Sequence, residues 1–154
     1  MNKNRIIYER VTVLDDILEI AIPKMFNRVF FQGDDKNKQS YVAWANNKNE
    51  AIYIYQLEPN QYPLREIMEA ARLQMVAEKN ELKNIGVYSS ESNNIEKLMS
   101  EDEVIVGETK IYIVSCGFRY KDMSFIVYYT GNAGIKPLIK ENILYVLDSI
   151  RFNI

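Results

Sequence analysis

The sequence predicts an α+β fold, an antiparallel β-sheet packed by two main helices, and three observations carry that prediction. Short strand-like runs recur: apolar and polar residues alternate at 11–13 and 18–22, and aromatic and β-branched residues crowd 41–45, 51–57 and 110–131. Two stretches break the rhythm with helical spacing, one from Pro63 and one from Pro137. Strands and helices come in blocks, which suits an antiparallel sheet better than a series of parallel βαβ units.

The elements follow in chain order. "ERVTVLDDILEIAIP" reads as two strands around a turn at Asp15 and Asp16, with Pro23 ending the ladder. "KMFNRVFFQGDDKNKQ" passes from an apolar patch into a polar loop at 32–39. "SYVAWA" and "EAIYIYQLEP" flank the Asn-rich "NNKN" and form a hairpin, because Asn tolerates turn conformations. In "PLREIMEAARLQMVAEKNEL", Pro63 suits a first helical position, and Leu64, Ile67, Met68, Ala71 and Met75 make a stripe that Leu82 extends. "NIGVYSSES" is a connection or an edge strand, "NNIEKLMS" a helical turn, and the acidic "SEDEVIVGE" a solvated loop or helix start. "KIYIVSCGFRYKDMSFIVYYTG" is a second hairpin turning at Lys121 and Asp122, and "TGNAGIK" is a strand-to-helix turn. "KPLIKENILYVLDSIRF" closes the chain as a helix with Ile139, Ile143, Leu147 and Ile150 on one stripe.

Composition narrows the function. The 154 residues suit a single domain, 1–154, and 47% hydrophobic with 26% charged residues is an ordinary globular balance. Nineteen basic against twenty-one acidic residues leave no basic footprint for nucleic acid. No apolar run is long enough to insert in a membrane, and the opening segment lacks the apolar core of a secretory signal, so the expected location is cytoplasmic. Histidine is absent, which removes Ser–His and Cys–His nucleophilic pairs and the commonest metal ligand. The single cysteine rules out an internal disulfide and a Cys/His zinc site. No phosphate loop, GxSxG, HExxH or CxxC occurs, so no catalytic residue, metal or cofactor is expected.

Period-two alternation assigns the faces of the hairpins. Tyr112, Val114, Cys116, Phe118 and Tyr120 join Met123, Phe125, Val127 and Tyr129 on one apolar face, which makes Cys116 an inert core side chain. Ile113, Ser115, Gly117 and Arg119 join Ser124, Ile126 and Tyr128 on the other. With a five-residue loop at 46–50, Val42, Trp44, Ile52 and Ile54 share one face, and Tyr41, Ala43, Ala51, Tyr53, Tyr55 and Leu57 share the opposite one. Tyrosines either border a core with their hydroxyls at the rim or line a recognition surface. The second reading makes Tyr41, Tyr53, Tyr55, Ile113, Ser115, Arg119, Ile126 and Tyr128 the candidate partner-binding residues.

The layout resembles the PsbP/DcrB-like superfamily of small α/β/α sandwich proteins. The resemblance rests on "LEIAIPKMF", a strand ending in proline; the paired "YVAWA" and "AIYIYQL"; the helix from Pro63; and "ILYVLDSIRF", a closing helix with a Ser-Ile signature. It implies an α/β/α sandwich and a binding protein rather than an enzyme. Members include photosystem subunits, a GTPase-binding import factor and cytoplasmic Eag-type chaperones for secretion effectors, and a chain without a signal looks most like the last branch. The leading expectation is a non-enzymatic adaptor or chaperone that holds an apolar segment of another protein on an open sheet face. An open face also suits a homodimer. The alternatives are an immunity protein that neutralises a toxin through matched charge, and a small-molecule binder or enzyme using Tyr, Arg119 and carboxylates.

Overall fold

Alternation becomes a wide antiparallel sheet in the computed structural model, which describes residues 7–14, 16–29, 41–57, 62–74, 81–92, 95–120 and 123–152. The strands are β1 (Tyr8–Val13), β2 (Leu18–Pro23), β3 (Asn27–Val29), β4 (Tyr41–Ala45), β5 (Ala51–Leu57), β6 (Glu81–Ser92), β7 (Ile95–Val106), β8 (Thr109–Tyr120), β9 (Met123–Asn132) and β10 (Arg151–Phe152). The helices are α1 (Leu64–Gln74) and α2 (Lys136–Asp148). A seven-stranded sheet runs β3-β4-β5-β9-β8-β7-β6, and a three-stranded sheet runs β1-β2-β10. Among the described residues no helix is long and apolar enough to cross a membrane.

Both expected hairpins form in the expected register. Ala45 pairs Ala51 across residues 46–50, and Tyr120 pairs Met123, although Lys121 and Asp122 themselves lie outside the described residues. So do Asp15, the loop at 32–39 and Met75. The β1–β2 pair turns through Leu14 and Asp16, both at positive φ. The 3-10 turn at Ala133–Ile135 leads into α2 with Pro137 in its first turn, as expected of "TGNAGIK".

Other expectations fail between residues 81 and 106. Leu82 does not extend the helix; it lies in β6, at the edge of the seven-stranded sheet. "NNIEKLMS" is not a helical turn, and "SEDE" is neither a loop nor a helix start: residues 95–106 are β7, with Glu101 and Asp102 buried. Poor intrinsic strand formers are overridden here by pairing along the whole length of β8. The final helix also stops at Asp148, and Arg151 and Phe152 pair with β2.

The main core lies between the seven-stranded sheet and a layer made of α2 and β2. Ile139, Ile143, Leu147 and Ile150 form its stripe, against Tyr112, Val114, Cys116 and Phe118 from β8 and Phe125, Val127 and Tyr129 from β9. Two inward charges of β7 fasten α2. Glu101 pairs with Lys140 at 2.7 Å, and Lys97 donates to the Leu147 carbonyl in the last helical turn, where the macrodipole favours a cation.

Cys116 is fully buried, as its place in the alternation requires. Burial pushes its thiol up to about 12 from an ordinary 9.0, partly opposed by Lys97. The unfolded chain releases that proton near pH 9 while the folded chain keeps it. Stability is therefore complete below about pH 9 and falls as pH rises toward 12. Tyr128 and Tyr129, both raised from 10.0 chiefly by burial, add a second limb above pH 10. Lys97, lowered from 10.5 chiefly by burial, gains stability as pH rises and offsets part of the fall. Thermal melts across pH should show Cys116→Ala delaying the onset of alkaline loss from about 9 to about 10. Coincident wild-type and variant profiles would contradict this account of the thiol.

Candidate functional site

The other face of the seven-stranded sheet can be mapped row by row from the strand register. One row runs Leu98, Gly117, Ile126, Tyr55, Tyr41; the next runs Ser100, Ser115, Tyr128, Tyr53, Ala43, Val29. Beyond these lie Arg119, Ser124 and Leu57 on one side and Asp102, Ile113, Thr130 and Ala51 on the other. Across β3, β4, β5 and β9 these rows contain no charged residue.

Helix α1 covers one end of this face. It packs on β8 and β7, and its buried residues Ile67, Met68 and Ala71 join Val104, Ile113, Ile126 and Tyr128 in a second, smaller cluster. The close approach depends on Gly117, because a Cβ there would stand 2.8 Å from Met68 Sδ and 3.0 Å from Met68 Cγ. At the end of the helix, Arg72 donates to both carboxylate oxygens of Asp102, from Nε at 2.9 Å and from Nη2 at 2.6 Å. That contact raises the guanidinium above its usual range, and Ser100 Oγ adds a third hydrogen bond to Asp102 at 3.1 Å. At the start of the helix, Arg119 Nη2 donates to the Tyr62 carbonyl at 2.6 Å, while Arg119 Nε reaches Ser124 Oγ at 3.3 Å.

The eight candidate residues therefore divide. Ile113, Ser115, Ile126 and Tyr128 are buried on the side of the sheet that α1 covers. The face is not open over its whole width: the helix supplied by the chain itself occupies part of it. Arg119 is half-buried and engaged with the start of α1.

Tyr41, Tyr53 and Tyr55 are half-buried and adjoin one another, with Tyr53 and Tyr55 packed against the edge of the second cluster. Tyr41 stacks on Tyr55 at 5.5 Å, with Tyr53 at 6.4 Å from Tyr55 and nearly parallel to it. Tyr128 meets Tyr55 edge-on at 5.6 Å, which joins the half-buried tyrosines to the covered cluster. Burial, then the neighbouring Tyr53, push the Tyr55 phenol up from its ordinary 10.0. The array offers large, rigid apolar area with polar tips.

Sequence reasoning missed the polar groups that position α1, namely Arg72, Asp102 and Ser100. The signal was present: Leu98, Ser100, Asp102 and Val104 alternate along β7 and share one face. Charges on both faces of that strand mask the alternation.

No protein-family model and no curated protein matches this chain by sequence. Solved structures do resemble it in shape. Cyanobacterial PsbP (CyanoP) from Synechocystis sp. PCC 6803 superposes with a TM-score of 0.72 at 11% identity, covering 94% of this chain and 92% of that one. The Ran-binding protein Mog1p of Saccharomyces cerevisiae gives 0.69 at 9% identity, covering 96% of each chain. LpqN of Mycobacterium tuberculosis, involved in cell envelope biogenesis, gives 0.54 at 7% identity over 97% of this chain and 92% of that one. At these identities the likeness shows the fold, and the α/β/α arrangement of PsbP and Mog1p is the one this chain adopts.

Proposed function

We propose that the chain is a non-enzymatic protein-binding module, an adaptor or chaperone working in the cytoplasm, whose contact surface is the half-buried tyrosine end of the seven-stranded sheet. The observation that carries this reading is the half-buried, mutually stacked array of Tyr41, Tyr53 and Tyr55 on an uncharged stretch of sheet. A partner's apolar segment buries the rings, and the hydroxyls satisfy polar groups at its edge. Ile126 and Tyr128 flank the array on β9, Arg119 marks its rim, and Ile113 and Ser115 continue the surface under α1. The similarity to a Ran-binding protein accords with a protein partner.

A pull-down from the native source tests the reading, with tagged wild-type chain beside a Tyr53→Ala/Tyr55→Ala variant of verified fold. A stoichiometric protein retained by wild type and lost by the variant supports it. Equal retention by both removes the tyrosines from the contact. Because the patch is uncharged, a genuine complex should persist in high salt, whereas a charge-matched interface would weaken steeply.

A further inference from the structure

We draw no further inference here: the strongest candidate, the uncharged shelf of sheet beside α1 where the tyrosine array meets Ile126 and Tyr128, belongs to the site already described, and nothing in the structure shows what covers it.

Discussion

Phe125→Ala is expected to destabilise the fold by roughly 3–5 kcal/mol and to lower the thermal midpoint by about 10 °C. Phe125 is fully buried, with Phe118 stacked on it at 5.1 Å and Phe152 tilted against it at 5.4 Å. Phe152 in turn stacks on Tyr120 at 4.3 Å. These four rings dock the two-residue strand β10 against the large sheet, so removing the central ring leaves a cavity and undercuts the closing segment together. Calorimetric melts of wild type and variant measure the effect. A midpoint shift of only two or three degrees would mean that the core repacks around the loss and that β10 is held by other contacts.

Tyr53→Ala/Tyr55→Ala should weaken partner binding at least tenfold and spare the fold. Central tyrosines buried on binding commonly contribute upwards of about 1–2 kcal/mol each to association. Folding also draws on them, because both rings are half-buried against the second cluster in the free chain, so the variant's fold is verified before its affinity is read. Beyond that packing, folding loses the stacking with Tyr41 and the edge contact to Tyr128, on the order of 1 kcal/mol each. Titration calorimetry with the captured partner, beside thermal melts, separates the two effects. Unchanged affinity with intact folding would assign the tyrosines to the border of the α1 cluster and nothing more.

The two hairpins were legible in the sequence because each alternates strictly and turns within a short loop. Trp44 and Ile52 therefore face the main core, Tyr53 and Tyr55 face away, and Cys116 falls among buried apolar side chains, all from period two. Strands β6 and β7 were not legible. Their Glu, Lys, Asn and Ser residues disfavour strands locally, and pairing with a distant, strongly apolar β8 overrides that preference. Lys97 read as part of a helical turn and Glu101 as part of a solvated loop because their partners, Leu147 and Lys140, lie about forty to fifty residues away. The same distance problem hid the cover over the sheet. Nothing near Asp102 in sequence announces Arg72, thirty residues earlier, so Ile113 and Ile126 read as exposed when α1 lies over them. Apolar pattern fixes which face a residue occupies, but not which later or earlier element closes that face.

The central claim is that partners bind the tyrosine end of the sheet, and the nearest rival surface is the outer side of α2, where Tyr145 is 54% exposed beside Leu138 and Leu144. Site-specific photo-crosslinking compares them directly, with a benzophenone amino acid placed at Tyr41 in one variant and at Tyr145 in another. The account predicts that irradiation in the native lysate yields a discrete crosslinked protein from position 41 and none from position 145. A crosslink from position 145 alone would place the interface on α2 and contradict the account.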